Sequence, residues 1–178
     1  DGYRAPSILE IPGAKDVAVE FNSLSKTYNM AGWRLGMAVG NAQVINYLHT
    51  FKSQVDSSQF QPILDAGIAA LAGDQSWLEE RNEIYQHRRD VVLQGLRAAG
   101  FTVDTPPAAI YVWAQLPAGE KDSITFCNRL LEETGVSTTP GIVYGQHGEG
   151  YLRISLGTAT HRIEEAMERI TRWVKAKK

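Results

Sequence analysis

The chain of 178 residues is 43% hydrophobic and 21% charged with a formal net charge of −2, the balance of a globular protein of one domain or two small ones. That charge leaves no footprint for nucleic acid, no apolar run is long enough to span a membrane, and no basic-then-apolar leader opens the chain. One cysteine, Cys127, excludes an internal disulfide framework and suits a reducing compartment, so cytoplasm is the expected location.

Residues 1 to 15 are punctuated by Gly and Pro and read as loop. The opening Asp1-Gly2-Tyr3-Arg4, without an initiator methionine, suggests a piece of a longer chain. From Asp16 to Ser23, Val17, Val19 and Phe21 alternate with Ala18, Glu20 and Asn22, a strand pattern. Arg34 to Gly40 (RLGMAVG) is a second short apolar run, and such runs suit strands of a sheet covered on both faces. Asn41 is placed to cap a helix through about Val55, and a second helix is expected from Gln61 to Ala72 with Pro62 in its first turn. Asp74 or Ser76 could cap a third helix through Ala99, ended by Gly100. Trp77, Leu78, Ile84, Val91, Val92 and Leu96 form its apolar stripe; Glu79, Glu80, Arg81, Arg88, Arg89 and Asp90 form a charged face expected to be solvated.

Beyond Gly100, strands are expected at Phe101 to Val103, Tyr111 to Leu116 and Tyr151 to Leu156, and helices at Ser123 to Glu133 and His161 to Lys175. Strands alternating with helices indicate an α/β layer. Tyr111 and Trp113, alternating on one strand, read as core, and Cys127 reads as a small apolar residue on a helix. Lys175, Lys177 and Lys178 make a solvated helix end. His49, His87, His147 and His161 lack ligand spacing, so no metal site is supported.

The chemistry concentrates in FNSLSKTYNMAGWRLG, Phe21 to Gly36. Ser23 and Ser25 lead into Lys26, and Gly32, Arg34 and Gly36 follow. A primary amine beside hydroxyls and a guanidinium suits an aldehyde cofactor that carries a phosphate: the amine forms an imine and the other groups hold the phosphate. That chemistry needs an amine uncharged at working pH, and lysine is the cation whose pKa falls readily on burial.

The Ser23-x-Ser25-Lys26 and Gly32-x-Arg34-x-Gly36 segments resemble, in order and spacing, the lysine signature of the fold-type I pyridoxal-phosphate enzymes, specifically the class I/II aminotransferases. Pro140-Gly141 with Gly145 and Gly148 resembles that family's small-domain turn, and Gly150 to Leu156 (GYLRISL) its carboxylate-binding strand. The resemblance implies the C-terminal part of the fold-type I transferase fold: a large-domain remnant over residues 1–73, an interdomain helix over 74–100 and a small α/β domain over 101–178. It implies pyridoxal 5'-phosphate as cofactor, held through a Schiff base to Lys26, with Ser23, Ser25 and Arg34 on the phosphate. Arg153 would bind the substrate α-carboxylate; the alternative is an arginine paired with a neighbouring acid. Amino acids and 2-oxo acids are the implied substrates. A homodimer is implied too, with the helices from Asn41 to Ala72 as its contact surface and uncovered sheet strands elsewhere.

Within the family the wording is most like the aspartate and LL-diaminopimelate aminotransferase branch. The same scaffold also serves β-lyases and the effector-binding modules of transcription regulators, and both remain alternatives. The family's aspartate for the pyridine nitrogen, and the tyrosine three residues after it, lie upstream of the lysine. Asp1 and Tyr3 have a different spacing and stand too close to Lys26 to be that pair, so the chain is expected to be inactive alone.

Overall fold

The computed structural model describes residues 1–176; Lys177 and Lys178, part of the expected basic tail, lie outside the described residues. The chain divides into two compact units, Arg4–Leu78 and the remainder from Glu79 on together with Asp1–Tyr3.

In the unit Arg4–Leu78, the expected opening loop contains a 3-10 turn, Ile8–Glu10, capped by Ser7, whose Oγ accepts from the Leu9 amide at 3.1 Å. The Glu20 carboxylate accepts from the Ser7 hydroxyl (2.7 Å) and the Ile8 amide (3.0 Å), tying this turn to the first strand. A helical turn α1, Ala14–Val17, is entered through Gly13 at φ +82° and takes Asp16 and Val17 out of the strand expected there. Strand β1 is therefore Val19–Ser23. A single turn α2, Leu24–Thr27, and a 3-10 turn, Ala31–Trp33, lead to β2, Gly36–Gly40. The strands pair antiparallel, from Val19 opposite Gly40 to Ser23 opposite Gly36. Gly40, at φ +138°, would place a Cβ 2.3 Å from the Ala18 carbonyl oxygen, so only glycine closes this end of the pair.

Both-face covering of these strands is not found: Phe21 is 70% exposed and Val39 is exposed as well. An apolar run signals a strand that favours covering, whereas the cover comes from other strands and helices. Helix α3, Ala42–Val55, starts where expected, with the Asn41 Oδ1 accepting from the Val44 amide at 2.9 Å. Helix α4, Gln61–Ala72, carries Pro62 in its first turn. The buried apolar residues of the unit are Ala14, Leu24 and Met30.

Helix α5, Trp77–Ala98, begins at the boundary of the two units, and Asp74 accepts from the Ser76 amide just ahead of it. Val92, Leu93 and Leu96 are buried along it, and the chain turns away at Gly100, φ +86°. Its charged face is not wholly solvated. Arg89 is 9% exposed and is held by Asp1 (2.5 Å) and Asp90 (2.7 Å), since a guanidinium that loses water requires paired carboxylates.

The second unit continues with β3 (Thr102–Val103), β4 (Tyr111–Gln115), α6 (Ser123–Thr134), β5 (Thr139–Pro140), β6 (Tyr151–Ser155) and α7 (Thr160–Lys175). The strands form one antiparallel sheet in the order β3-β4-β6-β5. Alternation along β4 and β6 sends Val112, Ala114, Leu152 and Ile154 into a core closed by α6 and α7 through Phe126, Leu130, Ile163, Met167, Ile170 and Trp173. Leu130 is fully buried there, and cutting such a side chain to alanine costs about 2–5 kcal/mol. Cys127 packs in the same core, where burial pushes its thiol pKa up. Among the described residues no helix is long and apolar enough to cross a membrane.

The start of α6 is held by two carboxylates. Asp122 caps it by accepting from the Thr125 amide at 2.9 Å. Glu149 accepts from the Ser123 amide at 2.6 Å and from its neighbour Gly150 at 2.9 Å. These backbone hydrogen bonds hold both carboxyls below their usual range. Because the folded-state values are depressed, their contribution is present above the unfolded carboxyl pKa and is lost as pH falls through the folded one. Urea-unfolding midpoints should therefore decline below about pH 4. Glu149→Gln should flatten that decline, and an unaltered slope in the variant would contradict the capping role.

Candidate functional site

Ser23 ends β1, and its Oγ accepts from the Ser25 amide at 3.1 Å, capping the α2 turn. This is the local capping that serine performs often, and it leaves the hydroxyl proton unused by that contact. Leu24, 2% exposed, points into the unit and anchors the turn, while Lys26 lies on the exposed side. The Leu24 amide donates to the Leu35 carbonyl at 3.1 Å, so the segment from Leu24 to Leu35 is a loop closed at its base. The amides of Tyr28 and Met30 both donate to the Leu24 carbonyl, curling the chain beyond Lys26.

Two glutamines fix this loop. The Tyr28 hydroxyl donates to Gln75 Oε1 at 3.0 Å, and Gln75 Nε2 donates in turn to the carbonyls of Ala70 (2.9 Å) and Gly73 (2.7 Å) at the end of α4. Gln59 Nε2 donates to the Arg34 carbonyl at 3.1 Å. Arg34 sits at φ +53°, a left-handed conformation uncommon outside glycine, and its Nη1 donates to the Ala31 carbonyl at 2.8 Å. Asn29 is left-handed as well, at φ +55°. Ser23, Ser25, Lys26 and Arg34 thus share one connection between β1 and β2. Ser25 is partly buried and the other three are exposed. An amine, two hydroxyls and a guanidinium on one loop fit an aldehyde-bearing phosphate compound.

Arg153 belongs to the other unit, on β6, paired across the sheet with Trp113 of β4 and Thr139 of β5. It is half-buried on the face opposite the core. Its guanidinium carbon lies 4.1 Å from the centroid of the Tyr111 ring and 4.6 Å from that of Tyr144. Among the described residues no carboxylate pairs with Arg153 and no hydrogen bond ties up its N–H groups. The alternative of an arginine matched to a neighbouring acid is therefore not what the structure holds.

Tyr111 and Trp113 are not core, contrary to the expectation from their alternation on one strand. They occupy the outward positions of β4, with Trp113 38% exposed, and the smaller Val112 and Ala114 point inward. Trp113 stacks on Tyr151 (centroids 5.5 Å apart, planes at 17°) and meets Tyr144 edge-on at 5.7 Å. Tyr144 and Tyr151 escaped the reading of the sequence. Tyr151 was detectable, since it lies two residues before Arg153 on one strand and so on the same face.

Tyr144 ends a 3-10 turn, Gly141–Tyr144, in a loop pinned by glycine. A Cβ on Gly148 would fall 2.0 Å from the Gly141 carbonyl oxygen, and one on Gly141 equally close to that of Gly148. Ser123 Oγ also accepts from the Ile142 amide at 3.3 Å.

Residues 4–170 match the family described as aminotransferase class I and II. The chain is 51% identical over 172 residues to an LL-diaminopimelate aminotransferase of Moorella thermoacetica, covering 97% of this chain and 44% of the relative. It is 47% identical over 170 residues to LL-diaminopimelate aminotransferase 2 of a Nostoc species, covering 96% of this chain and 43% of that protein. Among solved structures, an aromatic aminotransferase from Pyrococcus horikoshii superposes with a TM-score of 0.91 at 33% identity, over 99% of this chain and 48% of that one. A probable N-succinyldiaminopimelate aminotransferase from Thermus thermophilus superposes at 0.87 with 36% identity, over 96% and 45%. The chain thus spans less than half the length of the relatives it matches.

The Gly141–Gly148 approach leaves no room for a methyl group. Gly148→Ala should lower stability by on the order of 3 kcal/mol, measured by chemical unfolding. A change under about 1 kcal/mol would show that the loop adapts and is not pinned there.

Proposed function

Since this chain belongs to the class I and II aminotransferases, we propose that the whole protein moves an amino group between an amino acid and a 2-oxo acid, with pyridoxal 5'-phosphate as cofactor. The observation that carries this reading is the donor set of Ser23, Ser25, Lys26 and Arg34 gathered on one closed, largely exposed loop. When bound, pyridoxal phosphate supplies an aldehyde that joins amines and a ring that draws electrons from the substrate α-carbon.

The chain's own residues have distinct tasks in this proposal. Lys26 holds the aldehyde end and, with its Nζ released, takes the proton from the substrate α-carbon and returns it. Arg34 spends Nη1 on the Ala31 carbonyl, which leaves the rest of its fork for phosphate oxygens. Ser23 and Ser25 add hydroxyl donors beside it. Gln59, by holding the Arg34 carbonyl, keeps the left-handed turn that presents the guanidinium. Arg153 receives the substrate α-carboxylate through its unengaged N–H groups.

For the amino acid itself we propose LL-diaminopimelate, supported by relatives of that name at 47–51% identity. The structural neighbours bear other substrate names, so shared fold does not choose among them. A homodimer built through α3 and α4 fits the exposed Tyr47, Phe51 and Val55 of α3 and Ile68 and Leu71 of α4. We place the enzyme in the cytoplasm.

In the full-length protein supplied with pyridoxal phosphate, Lys26→Ala should abolish the lysine-imine absorption band and slow turnover by at least about 10³-fold. A wild-type protein lacking that band would sink the cofactor reading. Arg34→Ala should weaken cofactor binding roughly 10- to 100-fold, followed by the same band during dialysis. Given LL-diaminopimelate and a 2-oxo acid, the wild type should form the new amino acid; pyruvate and ammonia instead would mark a lyase.

A further inference from the structure

We propose that Tyr111 and Tyr144 are positioning residues that hold Arg153 between aromatic faces in place of an acidic counter-ion, so that its donor fork stays open to the substrate carboxylate. The inference rests on the carboxylate reading of Arg153 above and deepens it.

A guanidinium withdrawn from water commonly acquires a carboxylate neighbour, as buried Arg89 does with Asp1 and Asp90 in the same unit. At Arg153 such a partner would compete with the substrate for the same N–H groups. Aromatic rings solve this differently. Their faces attract the cation through the flat side of the guanidinium, and the N–H groups in its plane remain available for hydrogen bonds. Carbon-to-centroid distances of 4.1 and 4.6 Å are well inside the range of that attraction.

The rings are themselves held. Tyr111 pairs with Ser155 in the β4–β6 ladder, one diagonal step from Arg153 on the same face. Tyr144 is 48% exposed, yet three features fix it: the Gly141–Gly148 approach, the Ser123 hydrogen bond to the Ile142 amide, and the edge of Trp113. Trp113 is in turn stacked on Tyr151. An aromatic chain from Tyr151 through Trp113 to Tyr144 therefore ends on the cation.

The test uses the full-length holoenzyme and compares Tyr111→Leu, Tyr144→Leu, both Tyr→Phe variants and Arg153→Lys. Each leucine variant should raise KM for an L-amino acid substrate roughly tenfold with kcat nearly unchanged, whereas the phenylalanine variants, which keep the ring faces, should match wild type. A second readout needs no turnover: phenylglyoxal labelling of Arg153, followed by peptide mass mapping, should be faster in the leucine variants and unchanged in the phenylalanine ones. Leucine variants with wild-type KM and wild-type labelling overturn the proposal, and so do phenylalanine variants as impaired as the leucine ones. Arg153→Lys separates the two ideas. If its KM is that of wild type, the carboxylate reading fails, while the labelling rates still decide whether the rings hold the arginine.

Discussion

The candidate site depends on one pairing. The antiparallel ladder of β1 and β2 brings Ser23 opposite Gly36, and the Leu24–Leu35 hydrogen bond continues it by one step. Everything between must then return within a short loop, which forces left-handed residues at Asn29 and Arg34. Such conformations are costly for non-glycine residues unless the surroundings over-determine them. Here Gln59 holds the Arg34 carbonyl and the side chain of Arg34 holds Ala31. The same closure turns Leu24 inward and leaves Lys26 outward, so lysine and arginine are placed by backbone hydrogen bonds more than by their own packing.

The second unit works from side-chain alternation. Period-two geometry gives β4 and β6 one face for the core and one that carries Arg153. The core face takes Val112, Ala114, Leu152 and Ile154, small or branched residues that fit against α6 and α7. The larger aromatic residues go to the other face, where Tyr111 meets Arg153 and Trp113 stacks on Tyr151. That allocation looks wasteful if only burial is counted. It follows once the cation needs partners that do not consume its hydrogen-bond donors.

What could be read from the sequence was local. The lysine segment was legible as a donor set because amine, hydroxyls and guanidinium lie within a dozen residues. Helices α3 and α4 were legible to the residue, since Asn41 and Pro62 mark their starts, and Gly100 marked the end of α5. Apart from the turn Ala14–Val17, which stands where a strand was expected, the misses were matters of partnership. The apolar run Arg34 to Gly40 suited a strand covered on both faces, but covering depends on elements outside the run, and exposed Phe21 and Val39 match the uncovered strands that the family resemblance implied. Arg89 read as solvated because its neighbours are charged, yet its partner Asp1 lies 88 residues away. Tyr111 and Trp113 read as core because they alternate on one strand, but alternation does not say which of the two faces is buried.

The two units are unequal in what they finish for themselves. From Glu79 on, a contiguous core runs from Val92 to Trp173, with side chains such as Leu96, Val112, Leu130, Leu152 and Ile170 removed from water. In Arg4–Leu78 the corresponding list is Ala14, Leu24 and Met30, while Phe21, Phe51, Val55 and Phe60 stay largely exposed. Burying side chains of that size is worth about 1.5–3 kcal/mol each, so covering them would add to this unit's stability. Phe21, Ser23, Met37, Leu48, Phe51 and Val55 are among the residues that line one such groove, with a volume of about 580 Å³. The uncovered face and the lysine loop are thus parts of one strand pair. Whatever covers β1 and β2 therefore closes over the strand whose last residue, Ser23, leads into the lysine loop.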